Sequence, residues 1–260
     1  MGIYTKVVST AKPVNQIRTF IGGVAKDITA AFVFVNGVRK QVFPNTEEWT
    51  LVYEKTTSGS DTFAVDYGKY KIEVSAGGGG AGTALQVSGY PARAGNSAGA
   101  SGGTGAYGSA ILSYFEADTL SFTVGARGSG ATKEYGTASS TAGGSTSLSD
   151  TTHGSNFIVL GGGGRGYAHA TDNGDDASVG SAGTVTTTLV THDLHNGKKG
   201  ASASTATGSH SAGNTTNPSP YSSYGRGGGW SYRTGTNYSQ SASNGTAGFI
   251  RIYKSNFYPD

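Results

Sequence analysis

Apolar, strand-like segments in this chain run without a break into glycine, and the junction recurs along the sequence. Tyr70-Lys71-Ile72-Glu73-Val74 alternates apolar and polar residues, as a half-buried strand does, and opens into Ala76-Gly77-Gly78-Gly79-Gly80. Leu120-Ser121-Phe122-Thr123-Val124 opens into Gly125-Ala126-Arg127-Gly128, and Phe157-Ile158-Val159-Leu160 opens into Gly161-Gly162-Gly163-Gly164. At the far end the order reverses, with Gly245-Thr246-Ala247-Gly248 feeding Phe249-Ile250-Arg251-Ile252-Tyr253. Glycine has no side chain to bury, so chain of this kind cannot build a conventional core between the strands. Two outcomes stay open. The tracts are flexible linkers, or they are left-handed extended helices packed side by side, where the missing Cβ lets backbones approach and hydrogen-bond. Linkers rarely begin where one core strand ends and stop where the next begins. Packed polyglycine-II-like helices are therefore expected for about half of the tracts, with loops for the rest. The junctions are unevenly spaced, which excludes a strict solenoid.

Composition narrows the classes further. The 44 glycines among 260 residues far exceed the usual share of roughly one in fourteen. Disordered chains lack aromatic residues to bury, whereas this one has 15 Tyr, 10 Phe and 2 Trp, so it is expected to fold. There is no cysteine, hence no disulfide framework and no thiolate metal site or nucleophile. No run of about 18 apolar residues exists to span a membrane as a helix. The first twenty residues lack a signal-peptide core, and Lys6 occupies the Ser/Thr position of a myristoylation motif. The expectation is a product made in the cytoplasm that leaves by lysis or within a particle, without membrane insertion. A net charge of +3, spread thinly, gives no basic stripe for nucleic acid.

The chain divides into an attachment module over 1–48 and a glycine-rich β domain over 49–260, in which strands over 49–75 and 249–254 frame the tracts of 76–248. Within the module, Phe20-Ile21-Gly22-Gly23-Val24-Ala25-Lys26 aligns with Phe34-Val35-Asn36-Gly37-Val38-Arg39-Lys40, fourteen residues further on. Asn-Gly between alternating strands is a strong hairpin signal because both central residues take positive φ. Two tandem hairpins are expected over 20–43, with turns at Gly22-Gly23 and Asn36-Gly37. A lone hairpin is marginal in water, so the module should pack on a neighbour. Residues 49–53 and 62–65 read as strands. No segment has a convincing helical period. The nearest, 109–115, reads equally well as a strand, and the fold class is all-β.

The tandem hairpins resemble short repeats of tail and baseplate proteins from phages of Gram-positive bacteria. The strands of 63–74 that open into 76–82, together with the closing Gly248-Phe249-Ile250-Arg251-Ile252-Tyr253, resemble phage glycine-rich tail proteins. These are similar in style to the tail-fibre-tip adhesins of T-even-like phages, whose glycine-rich helices carry variable receptor-binding loops. The long N-terminal fibre-attachment domain of those adhesins is not evident here. The resemblance implies a non-enzymatic virion protein of the tail tip or tail fibre that contacts the host surface. Its expected partners are other virion proteins and a host glycan or surface protein, with the chain trimeric or seated on a trimeric fibre. A capsid head fibre or decoration protein, a glycine-rich bacterial surface protein and a polysaccharide depolymerase are the alternatives.

Motifs for other chemistry fail on context. Gly161-x-Gly163-x-x-Gly166 and Gly77-x-Gly79-x-x-Gly82 follow strands, but no helix pattern follows to meet a dinucleotide pyrophosphate. Gly95-x-Ser97-x-Gly99 and Gly99-x-Ser101-x-Gly103 lack the strand and helix of a nucleophile elbow. Asn214, Asn237 and Asn244 match the glycosylation pattern, which has little meaning without a signal peptide. Glycosidases need two carboxylates about 5–10 Å apart, and acids are sparse after Gly77. His192-x-x-His195 is a weak candidate for a divalent metal and otherwise reads as a polar loop tip over 191–200. Asp172 and Asp175 are weak calcium candidates that lack a distant bidentate Glu. No cofactor is expected.

Single aromatics set among small polar residues are the most informative remaining feature. Tyr90, Tyr107, Tyr135 and Tyr167 are of this kind, and the densest group spans 221–238. A Tyr/Ser/Gly/Asn mixture is typical of binding loops, offering rigid aromatic area beside adaptable hydrogen bonding. Tyr221, Tyr224, Trp230, Tyr232 and Tyr238 are the candidate stacking residues, with Arg226 and Arg233 for anionic groups. The competing reading is that these rings plug gaps between thin glycine helices, and for 221–238 the two stand level.

Overall fold

The computed structural model describes residues 17–21, 24–28, 30–35, 38–43, 46–82, 99–131, 140–167, 178–201, 224–228, 233–234, 237–238 and 242–259. Among them every regular element is a strand. In chain order these are β1 (Ile17–Ile21), β2 (Val24–Ile28), β3 (Ala31–Val35), β4 (Val38–Phe43), β5 (Trp49–Lys55), β6 (Gly59–Val65), β7 (Gly68–Ser75) and β8 (Tyr107–Tyr114). They continue with β9 (Asp118–Val124), β10 (Thr146–Asp150), β11 (Gly154–Leu160), β12 (Val185–Thr187), β13 (His192–His195), β14 (Arg233–Thr234), β15 (Asn237–Tyr238) and β16 (Phe249–Ser255).

Two antiparallel five-stranded sheets, ordered β12-β11-β10-β9-β6 and β13-β8-β7-β16-β5, share one apolar core. Strict alternation fixes which side chains enter it. In β7 the side chains of Tyr70, Ile72 and Val74 are buried while Lys69, Lys71 and Glu73 are half-exposed. In β9 Leu120, Phe122 and Val124 are buried between exposed Thr119, Ser121 and Thr123. Leu112, Leu148, Ile158, Leu160, Ile250 and Ile252 complete the filling from both sheets. Each fully buried side chain of this size contributes about 1.5–3 kcal/mol, so this sandwich is the apolar anchor of the chain.

The hairpins of the N-terminal module are present as strand pairs. Ile21 is opposite Val24 in the β1–β2 pair, and Val35 is opposite Val38 in the β3–β4 pair. The turn residues expected at Gly22-Gly23 and Asn36-Gly37 lie outside the described residues. The second hairpin meets the C-terminal segment. Tyr258 N donates to Gln41 Oε1 at 3.0 Å, and the Phe32 and Tyr258 rings are 6.1 Å apart.

Beyond the sandwich the glycine tracts hydrogen-bond to one another with a three-residue repeat. Along 76–82, the amides of Ala76, Gly79 and Gly82 donate to the carbonyls of Ala106, Gly103 and Ala100. Those of Gly77 and Gly80 donate to Gly144 and Thr141, and those of Gly78 and Ala81 to Thr246 and Ser243, all at 2.9–3.3 Å. The carbonyls of the same tract accept from a second set. Gly77 and Gly80 accept from Gly163 and Gly166, Gly78 and Ala81 from Gly128 and Ala131, and Gly79 from Gly228. Tract 76–82 is thus ringed by six others, to three of which it donates and from three of which it accepts. The ring closes on itself through further bonds, such as Gly143 N to Gly163 O, Thr141 N to Ser129 O and Thr246 N to Arg226 O.

That packing explains the glycine run. A Cβ on Gly77, Gly78, Gly79 or Gly80 would lie 2.0, 1.8, 2.0 or 1.9 Å from the carbonyl oxygen of Ala126, Arg226, Gly164 or Ser129. All three directions of the repeat are closed by backbone at these four positions, so no side chain fits at 77–80, while the methyl groups of Ala76 and Ala81 on either side are fully buried. The bundle interior consists of peptide groups that satisfy one another, which is how buried backbone avoids its desolvation cost.

Candidate functional site at the outer end of the bundle

The sandwich gives the molecule two distinct ends. At one, the turns of 115–117 and 151–153 and the start of β5 lie together, Trp49 being opposite Ser255. Asn256 ties this end down, its side chain accepting from Glu48 N at 2.9 Å and donating to Thr46 O at 3.2 Å. The N-terminal hairpin contacts at Gln41 and Phe32 belong to the same end. At the other, β7, β9 and β11 run out into their tracts.

The outer tips of the tracts come together far from the hairpin module. Gly82 N bonds Ala100 O, Ala242 N bonds Ala131 O, Tyr167 N bonds Ser178 O and Ser101 N bonds Ala201 O. The chain segments 83–98, 132–139 and 168–177 each depart from and return to these tips. Segment 202–223 departs from Ala201, and 229–241 returns to Ala242. The bundle therefore holds both anchor points of the first three segments, together with Ala201 and Ala242, at the end opposite the turns of 115–117 and 151–153, whereas 202–223 returns beside the sandwich at Tyr224, whose ring meets Phe249.

Tyr221, Trp230 and Tyr232 lie outside the described residues. Arg233 pairs with Tyr238 across the short β14–β15 ladder. Tyr224 and Arg226 sit on a tract near the sandwich. The Tyr224 ring is half-buried, 4.8 Å from the Phe249 ring, with the Arg251 guanidinium 5.7 Å from it. Arg226 is tied through its backbone, its amide donating to Thr246 Oγ1 at 2.7 Å and its carbonyl accepting from Thr246 N at 2.9 Å.

The 191–200 stretch is a correction to the loop-tip reading. His192–His195 forms β13 at a sheet edge, with Leu194 buried against the core. Alternation around one apolar residue was too weak a signal to show this in sequence. His192 Nδ1 accepts from Leu194 N at 3.4 Å, and His195 Nε2 lies 2.9 Å from Asp193 Oδ1 with its ring 5.4 Å from Tyr107. Among the described residues no group of three or more His, Cys, Asp or Glu gathers as metal ligands do. Asp172 and Asp175 lie outside those residues.

Most described carboxylates serve the frame. Asp61 bonds Tyr53 and Lys55, Glu54 bonds Arg251, and Glu73 pairs with Lys71 and Tyr253. Burial, aided by Asp61, pushes the Tyr53 hydroxyl up to about 12. Asp118 is desolvated, which favours its neutral form, but bonds from the Thr152 hydroxyl, Thr119 N and Thr152 N outweigh that and hold it well below the usual carboxylate range. A shallow polar concavity of about 540 Å³ on the outer face of β6, β9 and β10 is lined by Ser60, Thr62, Ser121, Thr123, Ser147 and Ser149. Its one carboxylate is the engaged Asp61.

Sequence reasoning missed one surface feature, a groove on the flank of the bundle that contains Arg165 and Tyr167. Tyr167 was visible as a single aromatic among small residues, but its partner stood inside a glycine motif. No family model matches the sequence, and no curated protein matches it significantly.

Proposed function

We propose that this chain is a non-enzymatic bacteriophage virion protein of the tail tip or tail fibre that contacts the host cell surface. The observation that carries the reading is the polarity of the fold. The second N-terminal hairpin and the C-terminal segment gather at one end, while the tips of the glycine bundle present chain segments at the other. Loops held on a rigid scaffold are where binding residues concentrate. The tracts themselves we take to be polyglycine-II-type helices, a reading supported by the three-residue hydrogen-bond repeat and the closed ring of neighbours around 76–82. On this view residues 1–48 attach the protein to other virion proteins, alone or on a trimeric fibre. Residues 49–260 form the receptor-contacting domain, with a host glycan or surface protein as ligand. Engagement of Asp61, Asp118, Glu54 and Glu73 in structural pairs favours binding over hydrolysis.

Residues 229–238 are the proposed contact, with Trp230 as the central anchor, since Tyr224 and Arg226 of the expected 221–238 segment belong to the bundle beside the sandwich. Truncating such an anchor typically costs about 2 kcal/mol or more of binding energy. Trp230→Ala should weaken adsorption of the purified protein to cells markedly while leaving its melting temperature nearly unchanged. Unfolding of the variant, with binding loss tracking lost stability, would make Trp230 a packing residue and remove this contact. Electron microscopy of virions labelled at the C-terminus separates a tail location from a capsid one, and labelled heads would overturn the tail assignment.

A further inference from the structure

A groove of about 500 Å³ opens on the flank of the bundle, between the tracts at 140–142, 164–167 and 179–181. Tract 161–167 spends most of its amides on its neighbours. Gly163 and Gly166 bond inward to Gly77 and Gly80, and Gly164 and Tyr167 bond sideways to Ser181 and Ser178. Arg165 occupies the remaining position of the three-residue repeat, where a side chain has room to leave the bundle, and it is exposed. Its guanidinium lies 4.8 Å from the centroid of the Tyr167 ring, which is itself 46% exposed. Among the described residues no carboxylate pairs with Arg165. The groove therefore holds a cation fixed against an aromatic face, with the hydroxyl residues Thr141 and Ser181 on its sides.

We propose that this groove binds an anionic sugar residue of a cell-surface glycan, a proposal that rests on the adhesin reading and names the ligand class for this part of the molecule. The guanidinium offers paired donors to a carboxylate or phosphate. The half-exposed ring offers a flat apolar face to the sugar, and the hydroxyls accept or donate to its oxygens. A further glycine tract, from this chain or a second copy, is the other shape that fits between parallel tracts. It is disfavoured because tract packing demands backbone approach as close as at Gly77–Gly80, and here the Arg165 and Tyr167 side chains stand in the way.

The test uses the full chain and three probes in calorimetric titration: tetragalacturonate for a sugar carboxylate, a ribitol-phosphate oligomer for a phosphate, and neutral maltotetraose. At least one anionic probe is expected to bind, with maltotetraose binding more weakly or not at all, and the better anion identifies the source. Arg165→Gln should weaken the anionic probe about tenfold or more, as loss of a charge-assisted bond implies. Tyr167→Ala should weaken it as well. Both side chains are exposed, so melting temperatures should stay at the wild-type value. Failure of both anionic probes to bind, equal binding of maltotetraose, or wild-type affinity in Arg165→Gln overturns the groove. Adsorption of labelled wild-type protein to a panel of intact bacterial cells is measured in parallel. Cell binding without probe binding removes the groove and leaves the adhesin reading standing. Probe binding that Arg165→Gln abolishes, without binding to any cell, upholds the groove and removes the adhesin reading.

Discussion

The Tyr114 hydroxyl donates to Asp150 Oδ2 at 2.6 Å, joining β8 of one sheet to β10 of the other across the sandwich. The Asp150 side chain is fully buried, and its other described partners are the amide and Nδ1 of His153 in the adjoining turn. Burial, reinforced by Asp150, pushes the Tyr114 hydroxyl far above its ordinary value, so it stays a donor at every accessible pH. Tyr114→Phe leaves a buried carboxylate oxygen short of one donor. The expected loss is about 1–3 kcal/mol in urea unfolding, and an unchanged midpoint would show that the sheets do not depend on this bond.

The central tract gives a sharper contrast. A Cβ on Gly79 would meet Gly164 O at 2.0 Å and its carbonyl carbon at 2.6 Å, with no flexible side chain to yield. Gly79→Ala is expected to cost about 3 kcal/mol or more, the upper end for overpacking. Ser129→Ala, on an exposed position of a ring tract, should stay within about 0.5 kcal/mol of wild type. Thermal melting of both variants checks this, and equal tolerance would refute close packing around 76–82.

Acid should unfold the protein in part through Asp118. Its folded pKa is depressed, so the stability it contributes is present above the unfolded value of about 3.9 and is lost as pH falls from there towards the lower folded value. Asp61 and Asp66 are depressed as well, so the wild type carries several such contributions. Comparing urea midpoints of wild type and Asp118→Asn isolates one of them. The gap between the two proteins should be widest near neutrality and narrow below pH 4. A gap independent of pH would assign Asp118 no ionic role.

In the N-terminal module, replacing Asn36-Gly37 by Val-Val removes the residues suited to positive φ between Val35 and Val38. The module should lose a few kcal/mol at most, roughly the strain of two such positions. Hydrogen exchange should speed up across β3 and β4 while the β7 and β16 amides keep their protection. Unchanged exchange in β3 and β4 would argue against a tight turn there.

Much of the frame was legible in the chain itself. Alternation at Tyr70, Ile72 and Val74 and at Leu120, Phe122 and Val124 specifies strands with one buried face, because the side-chain period of a strand is two. The abrupt change from those strands to glycine marked where side-chain packing stops. β10 was not legible, since Leu148 is its one large apolar residue and its place depends on β9 and β11 on either side. β13 stayed hidden for the same reason, with only Leu194 to bury.

For the glycine tracts, sequence determined that backbones must approach closely, and tertiary structure decided which ones. Glycine at 77–80 states that no Cβ is tolerated, but a peptide amide carries no label for its partner. Gly77 finds Gly144, Gly78 finds Thr246 and Gly79 finds Gly103 only because the two sheets deliver those strands to fixed places around β7. The same placement set Tyr224 against Phe249 near the sandwich and Arg165 over Tyr167 on the bundle flank. Local sequence around each aromatic is equally small and polar, so which rings are buried depends on where each tract enters the bundle.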